Sequence, residues 1–338
     1  MAKYTTIKEI ASKLGISHST VSRALNGHPR ISEKTKNLVR NVAKDMGYQV
    51  SGTANSFRNQ ESRLIGVIVP DLSIHFFARV VQGIEDVLSN AGYGILLFDS
   101  REQMATEVRS IQKCLSYRVD GVLAAISMKT DSFDHFVQLT KHEVPLVFYD
   151  RVANFLSVPK VITNDYEAAY EATNHLIQTG HKHIAHITAS INLNNSNNRL
   201  YGYMDALKDA GIDIDENLIH YYELDLSSID RFVTGLFHIQ PSIDSIFVFN
   251  DHVANYTVNT LHRLGKHVPE DISVMGFSDE PIATYMTPQL SSVKHGGEKM
   301  GNLAAQKLLS LIRKEEPLTN EKIVIHPELI IRESTKSH

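Results

Sequence analysis

Arg23, His18 and Ser19 stand in one short polar stretch, ISHSTVSRALNG at residues 16–27, and their types suit contact with nucleic-acid bases. A guanidinium can pair bidentately with guanine, while serine and imidazole make shorter, less selective contacts. In a helix, residues 19 and 23 fall one turn apart and share an open face with His18. Thr20, Ser22 and the amides at the helix start suit phosphates, which position a protein without reading sequence. Only Ile16, Val21, Ala24 and Leu25 are left to bury. A small helical domain with a solvated polar face is the plainer alternative. A second set of polar residues follows short apolar runs further along: Asp71 and Ser73, Asp99 and Ser100, Asp150 and Arg151, Asn250 and Asp251, Ser278 and Asp279. Polar groups gathered at strand ends are where open α/β sheets bind ligands.

The elements that must hold the first set are three short helices. TIKEIASKLG opens with Thr6 and Glu9 in a capping-box pattern, repeats Ile7, Ile10, Ala11 and Leu14 at helical spacing, and stops at Gly15. Ser17 is the expected N-cap of the polar helix, and Asn26-Gly27 its stop. A third helix is expected from Ser32, burying Leu38, Val42 and Met46 and ending at Gly47. Helix, tight turn, polar helix and supporting helix make the helix-turn-helix plan, whose second helix enters the major groove. Charge agrees with it. Residues 1–63 hold eleven Lys/Arg against four Asp/Glu, a balance of +7, inside a chain whose net charge is −4. A basic head on an acidic body places the polyanion contact on the head alone.

The second set needs parallel strands. From Leu64 onward, apolar runs such as LIGVIV, GILLFD, GVLAAI and PLVFYD alternate with longer amphipathic segments, and the pattern resumes through HIAHI, SIFVF and ISVMGF. That is the pattern of repeated βαβ units. Its length, roughly 275 residues, suggests two similar lobes rather than one sheet. Residues 50–62, VSGTANSFRNQES, read as a Ser/Asn-rich linker. The expected domains are a head at 1–49, a linker at 50–62 and a body at 63–338. Within the body, one lobe takes about 63–162 and 293–322, the other about 163–292 and 323–338.

Other chemistry is not indicated. HKHIAH brings together His181, His183 and His186, but a helix-end glycine followed by a strand explains them, and no Cys or Asp partners stand at ligand spacing. Asn192–Asn198 is expected to be an Asn-rich loop, either a polar rim around the cleft or plain surface. No P-loop, GxSxG or paired-carboxylate motif appears, so neither a cofactor, a metal nor a catalytic residue is expected. A single cysteine, Cys114, cannot form an internal disulfide and reads as packing. No signal peptide and no apolar run of membrane-spanning length is visible, which points to the cytoplasm.

The head sequence, TIKEIASKLGISHSTVSRALNGHPRISEKTKNLVRNVAKDMGY, resembles the DNA-binding head of the lactose/galactose-repressor (LacI/GalR) family of bacterial transcription regulators. STVSRALNG is its most specific part, and the similarity continues in order past residue 320. The resemblance implies a helix-turn-helix head on a two-lobed body like the periplasmic sugar-binding proteins. It implies operator DNA and a small sugar-like effector as partners, in a homodimer. In the head it places Thr6, Ser17, His18, Ser19, Thr20, Ser22, Arg23 and Asn26 at the DNA. In the linker it implies a hinge helix with Ala54 and with Phe57 in place of a leucine that wedges into the minor groove. In the body it implies ligand contacts from Phe76, Phe77, Asp150, Arg199, Asn250 and Asp251. Two departures fall at that pocket: Ser278 stands where the family has aspartate, with Asp279 as a candidate substitute, and His75 replaces a proline. The rivals are a solute-binding protein and an α/β sugar-processing enzyme with an accessory head. The enzyme would need a phosphate loop or an acid/base pair.

Overall fold

The computed structural model describes residues 5–48, 61–317 and 319–336; Ala54, Phe57 and most of the expected hinge lie outside them. The chain divides into two compact units, Met1–Ser62 and Arg63–His338.

In the first unit α1 (Ile7–Leu14), α2 (His18–Leu25) and α3 (Glu33–Asp45) follow one another closely. The Thr6 hydroxyl accepts from the Glu9 amide while the Glu9 carboxylate accepts from the Thr6 amide, the reciprocal pair that the sequence announces. Gly15 closes α1 at φ 64°, a left-handed conformation open to glycine. Ser17 caps α2, Asn26 ends it, and Ser32 caps α3. Ile10, Val21, Ala24 and Val39 are fully buried and form the small core. One expectation fails in α3. Leu38 is 53% exposed, and the buried apolar stripe is Val39 and Ala43, with Val42 and Met46 at its edge. Val39 and Ala43 are four residues apart and stack on one face; Leu38 sits about 100° round the helix from Val39.

The second unit contains two parallel sheets. The first is built from β1 (Leu64–Val69), β2 (Gly94–Asp99), β3 (Gly121–Ala124), β4 (Leu146–Tyr149), β5 (Lys160–Thr163) and β11 (Lys322–Ile325), in spatial order β11-β5-β4-β3-β1-β2. The helices α4 (His75–Asn90) and α12 (Gly297–Ile312) cover one face, and α5 (Met104–Ser116) and α6 (Asp134–Lys141) the other. The second sheet runs β7 (Ile219–Tyr221), β6 (Ile184–Thr188), β8 (Ser245–Val248), β9 (Ser273–Met275). It lies between α7 (Asp165–Gln178) with α8 (Asn194–Asp209) and α9 (Leu226–Ile239) with α10 (Asp251–Arg263). A short helix α11 (Ile282–Tyr285) and an antiparallel pair, β10 (Ser292–Lys294) with β12 (Glu328–Ile330), complete the body. The lobe boundary expected at 322/323 falls inside β11. All four residues of that strand pair with β5, so the chain leaves the first lobe after Ile325.

Glycines let the covering helices meet closely. A Cβ at Gly301 in α12 would collide with the Val80 carbonyl of α4, and one at Gly83 in α4 would collide with the Glu298 carbonyl of α12. Gly202 of α8 plays the same part against Tyr166 of α7. Cys114 is buried with its sulfur against Gly66, and burial pushes its thiol up to about 12. It packs; it is not poised to react.

Candidate functional site

The head offers one polar face. Val21 and Ala24 hold α2 to the core, which leaves Ser17, His18, Ser19, Arg23 and Asn26 exposed and Thr20 and Ser22 half-buried. Several of these groups already have partners. The Ser17 hydroxyl accepts from the Thr20 amide and lies 2.8 Å from both the Ser19 and Thr20 hydroxyls. Asn26 Nδ2 donates to the Ser22 carbonyl, and the Thr6 hydroxyl is shared with Glu9. Among the described residues His18, Ser22 and Arg23 make no side-chain hydrogen bond, and of these three His18 and Arg23 are the exposed ones.

In the body, both sheets point their carboxyl ends at one cavity of about 30 Å³. Strand order explains why. The first sheet reverses direction of growth between β1 and β3, the second between β6 and β8, and ligands bind at such switch points. Phe76 and Phe77 from α4 line the cavity, as do Asp150 and Arg151 after β4, Arg199 on α8, Asn250 after β8 and Ser278 after β9. The two phenylalanines also belong to the first-lobe core. Phe76 packs on the His295 ring at 4.1 Å, and the Arg151 guanidinium lies over Phe77.

Asp150 is 4% exposed and holds φ at 55°, a left-handed conformation uncommon outside glycine, although aspartate adopts it more readily than most. Burial raises its carboxyl above the usual range, against the pull of Arg151 and Arg199. Arg199 is fixed on three sides. Its Nε and Nη2 bond Asp165 Oδ1 at 2.9 and 2.8 Å, Nη1 donates to the Phe249 carbonyl, and its plane lies 3.6 Å from the Phe277 ring. Burial pushes Asp165 up to about 6 while Arg199 holds it down.

Several expected contacts are corrected. Asp251 does not reach the cavity. It is fully buried, accepts from the Glu280 amide and the Ser292 hydroxyl, and is pushed up to about 7 by burial. Asp279 turns away to pair with Arg332 at 2.6 Å, so it does not replace the missing aspartate; Ser278 faces the cavity and bonds His295 Nε2 at 3.1 Å. Asp99 and Ser100 follow β2, which is the edge strand and lies away from the switch point. Asp71 folds back to accept from the Ser73 amide. The Asn-rich stretch is not a loop from Asn194 onward but the start of α8; it does border the cleft, where the buried Asn195 and Ser196 line the cavity. His295 also lines it and was not expected; burial lowers it well below the ordinary histidine range, so it is neutral. It follows β10, a strand of three residues too short to show a pattern. His181, His183 and His186 point to separate partners: the Leu176 carbonyl, Gln240 and the Phe247 carbonyl.

A larger groove of about 780 Å³ lies on the other side of Phe76 and Ser278. The small cavity is the better site in spite of its size, because buried polar groups converge on it from both lobes.

Comparison with known proteins agrees with this geometry. Residues 62–332 match the family model described as periplasmic binding proteins and sugar binding domain of LacI family, and residues 6–51 match that of bacterial regulatory proteins, lacI family. The chain belongs to the LacI family. A LacI-family relative, the HTH-type transcriptional regulator RegA of Clostridium saccharobutylicum, is 32% identical over 333 residues, covering 98% of this chain and 99% of that one. The solved structure of the transcriptional regulator CelR–cellobiose complex is 28% identical with a TM-score of 0.74, covering 98% of this chain and 99% of that chain. The Lac repressor dimer bound to operator and an anti-inducer shares the fold, with a TM-score of 0.87 at 21% identity, over 99% of this chain and all of that one. These homologues are transcriptional regulators rather than enzymes. No helix among the described residues is long and apolar enough to cross a membrane.

Proposed function

We propose that this LacI-family chain is a cytoplasmic, non-enzymatic transcriptional repressor, acting as a homodimer, whose operator affinity is set by a small sugar-like ligand held between the two lobes of its body. The observation that carries the reading is the pairing, in one chain, of a helix-turn-helix head with a two-lobed body that turns buried polar groups into its cleft. Arg23 and His18 read bases, and Ser19 stands beside them; Thr6, Ser17, Thr20, Ser22 and Asn26 border the phosphates. Asp150, Asn250 and Ser278 make polar contacts to the ligand, Arg199 frames them, and Phe76 and Phe77 cover its apolar face. The ligand-bound state of CelR, a relative holding cellobiose, supports a sugar as the ligand class.

A cavity of about 30 Å³ is room for one water molecule, not for a sugar ring. The lobes therefore part to admit the ligand and close on it. Rotation of one lobe against the other in each subunit changes the spacing of the two heads and their fit to half-sites about one helical turn apart. The test is duplex binding by the intact chain, steeply weakened by salt and lost on removing residues 1–62. Equal binding by the truncated chain would end the proposal.

A further inference from the structure

Loops of an α/β fold usually run over the surface, because buried backbone must find its hydrogen-bond partners inside. The loop after β3 does not. Residues 125–130 are buried apart from Lys129. They enter three cores in turn: Ala125 the one under α4 and α12, Ile126 the one on the other face of the sheet, and Met128 that of the second lobe. Met128 is 4% exposed, and every other buried member of that last core, from Ala185 to Leu290, belongs to the second lobe. One first-lobe side chain is therefore seated in the second lobe.

Two buried carboxylates fix that loop to the first lobe. Glu107 of α5 accepts from the Ser127 amide at 2.7 Å and from the Ser127 and Thr130 hydroxyls at 2.8 Å, and lies 2.8 Å from His135 Nε2. Glu102, just ahead of α5, accepts from the Met128 amide at 2.6 Å and from Arg151 Nη1 at 2.7 and 2.9 Å. Arg101 and Glu102 hold φ at 52° and 54°, a conformation that is costly outside glycine and persists only where the surroundings enforce it. Arg151 matches the charge of Glu102 and lines the cavity, so one carboxylate joins the cavity wall to the seat of Met128. A loop held in this way moves with the first lobe. The lobes cannot part without drawing Met128 out of the second-lobe core, and its apolar surface then meets water.

Resting on the reading that the lobes part and close, we propose that Met128 is the latch of the closed cleft and that Glu102 is the positioning residue that seats it. The experiment reads the distance between lobes in the full chain by electron–electron resonance. Spin labels go on Tyr117→Cys, at the end of α5, and Tyr201→Cys, in α8, both exposed positions. Labelled chains are diluted into unlabelled ones, so that each pair is read within one chain; the buried Cys114 stays unlabelled. Wild type should give the single distance of the closed body. Met128→Ala and Glu102→Gln should each raise the ratio of open to closed chains at least tenfold, while Met128→Leu keeps the wild-type distance. Added to Met128→Ala, Glu102→Gln should open the chain no further, because Glu102 acts through the latch. A purely structural role would lower the melting temperature and leave the distance alone.

Should Glu102→Gln fail to fold, Glu102→Asp, one carbon shorter, takes its place. A single closed distance in Met128→Ala overturns the proposal, as does a Glu102 variant that opens Met128→Ala by the same factor as wild type. Glu280→Ala, which removes the bond from the Glu280 carboxylate to the Phe76 amide across the cleft, separates the two failures. If it opens the body where Met128→Ala does not, only the latch falls; if neither opens it, the parting of the lobes falls as well.

Discussion

Glu280 reaches across the cleft: its carboxylate, in the loop after β9 of the second lobe, accepts a hydrogen bond at 3.3 Å from the amide of Phe76, in the first turn of α4 in the first lobe. No side chain of α4's own N-cap, Ile74, serves that helix start. Glu280 therefore supplies both the missing acceptor and a negative charge at the positive end of the helix dipole. Asn194 adds a second tie, accepting from the Val152 amide at 2.8 Å. The closed cleft is held by bonds between lobes as well as by apolar packing.

Glu280→Ala should loosen that closure. A hydrogen bond to a charged group contributes about 1.5 kcal/mol, so ligand affinity should fall roughly tenfold. Small-angle scattering should show a more open body in the variant. Unchanged scattering and affinity would mean that the bond forms without holding the lobes.

Arg23→Ala should reduce operator affinity by about 1–3 kcal/mol and relax preference at one base pair. Binding titrations on operator and random duplex separate the two effects. An equal loss on both would assign Arg23 to phosphate.

Gly301→Ala should destabilise the body by about 2 kcal/mol or more, since the new methyl group meets the Val80 backbone rather than a side chain that can swing away. Denaturant unfolding of the full chain measures it. Tolerance of alanine would show that α4 and α12 can separate at little cost.

Acid should act through His186. It is fully buried between the Tyr203 and Phe247 rings, and burial lowers it to about 3. The unfolded chain binds this proton below about pH 6.5 and the folded chain does not until about pH 3, so stability falls as pH drops through that window. His186→Phe should flatten the slope of stability against pH between 6 and 4. An unaltered slope would place the acid sensitivity elsewhere.

The head was largely legible because its signals are local. Thr6 and Glu9, Ser17, Gly15 and Asn26 act on neighbours within one turn, and the structure has each where the spacing sets it. Leu38 was misread because one position of phase separates a buried face from an exposed one. In the body the strands inside continuous apolar runs were visible, even β3, β4, β8 and β9 of three or four residues, while β5, β10, β11 and β12, short and each carrying a lysine or glutamate, were not. His295 directly follows β10, which is why it went unseen. The helix at Asn195 was missed for another reason: a run of asparagines has weak helix propensity, and tertiary packing overrides it. Asp251 and Asp279 stand at strand ends as expected, but local bonds to Glu280, Ser292 and Arg332 take their carboxylates out of the cavity. Sequence position shows which residues arrive at a cleft, not which way each one turns.

The coupling of cleft to operator is tested most directly by measuring operator affinity of the full chain across a titration of its sugar ligand, in wild type and in Asp150→Ala. Typical allosteric coupling predicts a change of about 5- to 150-fold at saturation in wild type. Asp150→Ala, compared with its own ligand-free affinity, should show no response at the same concentrations. A variant that responds as the wild type does would contradict the account.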